Sequence, residues 1–379
     1  MSQNLGDFQQ VSEIENAQFI VVNSCTVTNS ADSNVRQFVR KTKRDFPKSK
    51  IIFTGCGVKN LGKNLLENGE VDSLFGSSEK ENISGILQKE SFSEIGNLEF
   101  FDKTVVTNFF GRTRAFVKIQ EGCNFSCSYC IIPSVRGKSR SYNENHILNQ
   151  VQKIAQNGFK EVVLTGTNIG SFGDGRNSLA KLLKNISRVS GIERIRLGSV
   201  EPSQIGEEFF EILDEPWFGK YLHIALQHTD DKMLKIMNRR NRLQKDLALF
   251  QELSQKGFAL GTDFIVGHGG ETDQIFENAF QNLNKFPLTH IHLFRYSRRD
   301  GTPSAKMKLI DSKVVKERFE KVENLIAEKS EKFKKEHSKN LKILIEEKVG
   351  ENEYRGFDQF FFDRKIRSEK ELIGKFCKM

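Results

Sequence analysis

Short apolar runs alternate with amphipathic stretches over most of the chain. Near the start, "QFIVVNSC" is an apolar run of strand length ending at Cys25. "NVRQFVRKTKR" then has helical spacing and a basic polar side, "KIIFTGC" is a second apolar run ending at Cys56, and "VDSLFG" is a candidate third. Strands alternating with helices predict a parallel α/β sheet. Cys25 and Cys56 lie just past the C-terminal ends of their strands, the edge where open parallel sheets bind ligands. The two are therefore expected to meet in space.

Residues 99–113 read as a linker with some strand character, and a longer βα series follows. Its predicted strands are "RAFVKIQ", "EVVLTG", "RIRLGS", "LHIALQ", "GTDFIVG" and "HIHLFRYS", separated by helical stretches such as "NHILNQVQKIAQNG" and "DLALFQELSQKG". Gly158 and Gly257 are good helix stops. The series predicts an open or partial β/α barrel, whose function gathers at the C-terminal ends of its strands. From about 311 to 340 one long charged helix is expected, with Val315, Phe319, Val322, Ile326 and Phe333 as its packed stripe. The remainder reads as short strands and turns, a small β-domain. The predicted fold class is thus α/β: an amino-terminal Rossmann-like parallel domain, a partial (β/α)6 barrel and a small carboxy-terminal β-barrel.

Charge and cysteine usage narrow the function. The formal net charge of +9 favours a polyanionic partner such as RNA. No run approaches the ~18 apolar residues of a membrane helix, and the polar start "MSQNLGDFQQ" has no signal-peptide core, so no membrane partner and a cytoplasmic location are expected. Six cysteines in 379 residues are too few for a disulfide scaffold. Three of them, Cys123, Cys127 and Cys130, fall within "EGCNFSCSYC". A structural zinc site needs four protein ligands; Asn124 and Ser126 are poor donors, and no His lies in the loop. A four-iron cluster, in contrast, can be held by three thiolates with one iron left open for a small chelating molecule.

"GCNFSCSYCIIPSVRGKSRS" resembles the radical S-adenosylmethionine (SAM) signature in the form used by the methylthiotransferases. The resemblance extends to "VVNSCTVTNSAD" and "TGCGVKN" in the first domain, to "EVVLTGTNIGSFG", "LHIALQHTDDKMLKIMNRR", "GTDFIVGHGGET" and "HLFRYSRRDGTPSAKM" in the barrel, and to a TRAM-like, RNA-binding end. It implies a [4Fe-4S] cluster held by Cys123, Cys127 and Cys130 that binds SAM, a second cluster at Cys25 and Cys56, and cofactor contacts from Tyr129, Gly166, Thr167, Asn168 and Gln227. Arg136 and Arg140 are candidate RNA or phosphate contacts. The implied domains are 1–98 (methylthiotransferase), 114–335 (radical SAM) and 341–379 (TRAM-like). The implied partners are tRNA and a reductant such as a flavodoxin system. "TGTNIGSFG" is most similar to the branch acting on carbon 2 of N6-threonylcarbamoyladenosine at position 37 of tRNA. Isopentenyladenosine in tRNA and a ribosomal-protein aspartate are the substrates of the other branches, and a SAM-cleaving RNA-binding remnant is the reading of another class.

The chain also departs from that pattern. The family's first domain supplies three cysteines to the second cluster, whereas Cys25 and Cys56 stand alone here and Cys377 sits in the final β-domain. The first domain is therefore expected to be incomplete at its amino terminus, with the second cluster in doubt, and the TRAM-like end to be short of its last strands. "GHGGET" carries His268 and Gly269 where Phe-Pro is common in the family, and "LQHTDD" carries His228, Thr229 and Asp230 where Ser-Gly-Ser is common. His223, His290 and His292 are expected to be satisfied core or rim side chains, with His290 and His292 facing the same way.

Overall fold

The computed structural model describes residues 4–102, 104–109, 111–173 and 178–379. The chain divides into two compact units. One comprises Met1–Val105, Gly122–Lys138 and Ser297–Ala305; the other comprises Val106–Glu121, Ser139–Tyr296 and Lys306–Met379.

The first unit is built on a parallel sheet of β1 (Phe19–Ser24), β2 (Lys50–Gly55), β3 (Ser73–Phe75) and β4 (Ser93–Glu94), in that order. β1 alternates in burial, while β2 is buried at nearly every position, as an interior strand covered on both faces must be. One face packs Ile20, Val22, Ile51 and Phe53 against Val39 of helix Asn29–Asp45, and the other packs Ile52 and Phe75 against Ile83 and Ile86. Each such fully buried side chain contributes about 1.5–3 kcal/mol. Helix Asn29–Asp45 starts where Thr28 accepts a bond from Ala31 N and ends with Lys43 and Arg44 in its last turn, both favourable at their ends.

The second unit holds the half-barrel. β5 (Arg114–Glu121), β7 (Glu161–Gly166) and β8 (Arg194–Leu197) pair in parallel, with the short β6 (Arg140–Ser141) antiparallel on the β5 edge. β9 (Tyr221–His223), β10 (Ala259–Val266) and β11 (His290–Arg295) form a second parallel sheet, and bridges Ile195↔Phe218 and Val200↔Ile224 continue the curve from one sheet to the next. The fourth predicted barrel strand is shorter than expected. Regular pairing stops at His223, and Gln227 adopts φ 64°, although it still bridges to Phe264. The long helix is Ser312–Glu336, with Val322 and Ile326 buried, Val315 and Phe319 packed on the same core, and Phe333 packed on the final sheet.

That final sheet, β12 (Lys342–Lys348), β13 (Glu353–Phe357), β14 (Asp363–Arg367) and β15 (Phe376–Lys378), is antiparallel in the order β14-β13-β12-β15. Two barrel arginines hold it. Arg194 donates to the carbonyls of Lys342 (2.9 Å) and Phe357 (3.2 Å), and Arg196 to those of Asp358 (2.5 Å) and Gln359 (3.2 Å). Glu161, fully buried on β7, is ion-paired with both guanidinium groups, so one carboxylate offsets part of their charge and the sheet carbonyls take up further donors.

Candidate active site

The three-cysteine loop begins at Gly122, directly after β5. Gly122 has φ 71°, and a Cβ there would lie 2.0 Å from the Lys138 carbonyl oxygen, so only glycine lets the loop close. The base of the loop is tied by Cys123 N to Gly137 O (3.1 Å), and its tip turns through Cys130 N to Cys127 O (3.1 Å). Ser128 is held by Ser304, whose backbone N donates to the Ser128 carbonyl (2.8 Å) and whose hydroxyl lies 2.8 Å from that of Ser128. Cys123, Cys127 and Cys130 are half-buried, as is Tyr129 beside them. Three soft donors on one compact loop, without imidazole or carboxylate among residues 123–130, fit an iron–sulfur cluster with one iron left open.

Cys25 and Cys56 belong to the same unit. β1 and β2 pair in parallel register up to Ser24↔Gly55, so the two cysteines leave adjacent strands at the same level, as their place past two strand ends predicted. Cys25 is exposed and Cys56 buried. Cys56 packs against Ile131 and Val135 at the start and within the short helix Ile132–Arg136 that follows the cysteine loop. Arg136 Nε donates to Cys56 Sγ (3.1 Å), and Lys59 Nζ donates to the Ser134 carbonyl (2.6 Å). The segment after Cys25 is pinned by Arg299, which bonds Asp32 (2.5 Å), Asn29 (2.7 Å) and Thr26 (3.0 Å). Sequence reasoning missed Arg299, because nothing local marks a partner more than 260 residues away. Two thiolates alone fall short of a cluster's donor set, and the remaining cysteine, Cys377, lies on β15 of the other unit.

In the second unit the candidate cofactor residues sit at strand C-termini. Gly166 ends β7, and Asn168 is buried with its backbone N donating to Gln120 Oε1 (2.7 Å). Gln120, fully buried on β5, also donates to the Glu121 carbonyl (2.8 Å) and Ser139 Oγ (3.0 Å). It is thus the residue that fixes the Gly166–Thr167–Asn168 turn, and its polar side chain in an apolar strand was the signal available for it. Gln227 lies two strands away, its backbone paired with Asp263 and Ile265 of β10. Arg140 pairs with Glu121 (2.8 Å), so both Arg136 and Arg140 are engaged within their own units.

The turn after β10 rests on a buried network. Glu271 accepts from Gly267 N (2.8 Å) and Arg318 (2.5 Å), and His228 Nε2 lies 3.3 Å away. Burial pushes the His268 imidazole down to about 4.

A family model described as the radical SAM superfamily matches residues 117–283, and one described as uncharacterized protein family UPF0004 matches residues 1–76. A protein of Helicobacter pylori bearing a provisional methylthiotransferase name is 49% identical, covering 100% of this chain and 92% of its own length. The threonylcarbamoyladenosine tRNA methylthiotransferase of Rickettsia prowazekii is 34% identical over 86% of this chain and 80% of its own. Among solved structures, the radical SAM methyltransferase TsrM of Kitasatospora setae, with tryptophan and a SAM analogue bound, superposes with a TM-score of 0.61 at 13% identity, covering 76% of this chain and 64% of that one. At that identity it shows a shared fold alone. Among the described residues no helix is long and apolar enough to cross a membrane.

Proposed function

The chain belongs to the radical SAM methylthiotransferases, and we propose that it adds a methylthio group to carbon 2 of N6-threonylcarbamoyladenosine at position 37 of tRNA in the cytoplasm. The enzyme class follows from the family, and the nucleoside is the inference. The observation that carries it is the turn Asn168–Ile169–Gly170, seated on Gln120 at the C-terminal end of a barrel strand, together with a relative at 34% identity that bears this substrate in its name.

In this reading Cys123, Cys127 and Cys130 would hold the SAM-binding cluster, and that group would supply one-electron reductive cleavage of a carbon–sulfur bond of SAM. The chain's own part is placement and shielding. Gly122 lets the loop fold back on itself, Ser304 fixes its middle, and half-burial of the thiols limits water. Tyr129, Gly166, Thr167, Asn168 and Gln227 are assigned to SAM contacts, with Gln120 positioning Asn168. Cys25 and Cys56 are assigned to a second iron–sulfur group as two of its ligands, a set still short of a third thiolate. The domains proposed are 1–98, 114–335 and 341–379, the last binding tRNA, with a flavodoxin-type protein as reductant. The net charge of +9 supports the RNA partner. For Arg136 and Arg140 an RNA role rests on charge alone, since both already bond within the protein.

The test is mass spectrometry of tRNA nucleosides from cells lacking the gene. Threonylcarbamoyladenosine without its methylthio group, restored by the gene, is the expected result. Loss of the mark from isopentenyladenosine, or from a ribosomal-protein aspartate with tRNA unchanged, would overturn the substrate assignment.

A further inference from the structure

The second sheet of the half-barrel carries a polar cluster that the reaction above does not use. Along β10, Leu260, Phe264 and Val266 join the core containing Phe250, Leu253, Ala279 and Leu283 of the covering helices. Alternation places Gly261 and Asp263 on the opposite, interior face. Register brings neighbours level with them: Gly261 pairs with His223 of β9 and His290 of β11, and Asp263 with His292. His223 Nε2 lies 3.0 Å from Asp263 Oδ1, and His292 Nδ1 lies 3.2 Å from the same oxygen. The two imidazoles stack with centroids 4.4 Å apart, and the three candidate ligand atoms all lie within 4.8 Å of one another.

Donors bound at about 2.0–2.2 Å to one ion are separated from their neighbours by about 3–3.4 Å, the spacing of both N···O pairs. The surroundings also suit a ligated imidazole. His223 Nδ1 is 2.8 Å from the Tyr221 hydroxyl; a proton on Nδ1 donated to that oxygen leaves the Nε2 lone pair directed at the cluster, the outer-shell arrangement that orients metal-bound histidines. Gly261 makes room for this contact, since a Cβ there would stand 2.3 Å from the Tyr221 hydroxyl and 2.8 Å from His223 Nδ1. The His223 side chain is 5% exposed, while that of His292 is 65% exposed, so an ion can enter from one side.

We propose that His223, Asp263 and His292 form a mononuclear site for a borderline divalent cation such as Zn2+ or Fe2+, with positions left for water or an oxygen donor of a bound molecule. Two imidazoles and a carboxylate without thiolate set this site apart from the cysteine loop, and it stands independently of which nucleoside is modified.

The test is calorimetric titration of Zn2+ into the full-length chain after anaerobic iron loading, so that the cysteine loop is already filled. One saturable equivalent is expected, absent from the H223A and D263N variants and weakened about 10–100-fold in Y221F. Cu2+ in place of Zn2+ should give an electron paramagnetic resonance spectrum split by nitrogen ligands, a splitting reduced in H292A. Y221F removes one hydroxyl and H292A an exposed ring, so circular dichroism of these two should match the parent and keep the result readable even where D263N fails to fold. No uptake by the parent chain, or uptake unchanged in both Y221F and H292A, would overturn the site.

Discussion

Arg136 Nε donates to the sulfur of Cys56 across 3.1 Å, joining the helix that follows the three-cysteine loop to the end of β2. The guanidinium, with Ile131 and Val135, covers Cys56, a residue only 7% exposed, whereas Cys25 on the neighbouring strand end is exposed. In protein free of iron, iodoacetamide should therefore modify Cys25 on the order of tenfold faster than Cys56, because access limits thiolate attack. Arg136→Ala should narrow that gap by uncovering Cys56. Peptide mass spectrometry over a labelling time course measures both rates, and equal rates in the parent chain would contradict the packing.

Iron chemistry separates the two groups of cysteines. Replacement of Cys123, Cys127 and Cys130 together by Ala should abolish formation of 5′-deoxyadenosine from SAM after anaerobic reconstitution. Replacement of Cys25 and Cys56 should leave that cleavage in place. Chromatographic assay of 5′-deoxyadenosine decides the matter; its persistence in the triple variant would remove these three cysteines from the site.

At the junction between the barrel and the final sheet, Glu161→Ala leaves two guanidinium groups buried without their counter-ion. Breaking such a pair from one side costs about 3–5 kcal/mol, to be read as a fall in the urea midpoint. The loss should also loosen the sheet that Arg194 and Arg196 hold through its carbonyls. Alkylation of the half-buried Cys377 on β15 reports this locally, and an unchanged rate in a destabilised variant would place the weakness elsewhere.

Stability should also respond to His268. Its imidazole, lowered by burial from an ordinary 6.5 to about 4, is held neutral in the folded chain. An unfolded chain takes up that proton below pH 6.5, so the stabilisation is complete above this pH. It is lost progressively as pH falls from 6.5 through about 4, to an extent of about 3 kcal/mol. Urea midpoints measured at pH 7 and pH 4.5 should therefore differ less for His268→Phe than for the parent. An equal acid sensitivity in the two would show that another group dominates.

Much of this architecture is legible in the sequence, and the reason differs by element. "VVL" in β7 and "IIF" in β2 are uninterrupted apolar runs because these central stretches are buried on both faces, and such runs announce themselves. The cysteine loop is legible because its chemistry is local, eight residues carrying three donors. What hides is cross-strand register. His290 and His292 can be seen to share a face, but parallel strands are separated by whole helices, and no short-range pattern places Asp263 between His223 and His292. The three histidines are satisfied by hydrogen bonds, as expected, but the sequence did not show that Asp263 is the partner of both His223 and His292. The same holds for Arg299, whose partners Asn29 and Asp32 lie at the other end of the chain.

The amino-terminal unit is assembled from three separated pieces of chain, 1–105, 122–138 and 297–305. Recombination can exchange a domain as a cassette only where one continuous stretch encodes it. Here a crossover after residue 105 would carry off β1 to β4 while leaving behind the helix that covers Cys56 and the arginine that pins the segment after Cys25. The amino-terminal piece would inherit Cys25 and Cys56 without these supports. The sheet, the three-cysteine loop and residues 297–305 are therefore bound to descend together, and a shortened or chimeric gene that separates them should leave the amino-terminal unit incomplete.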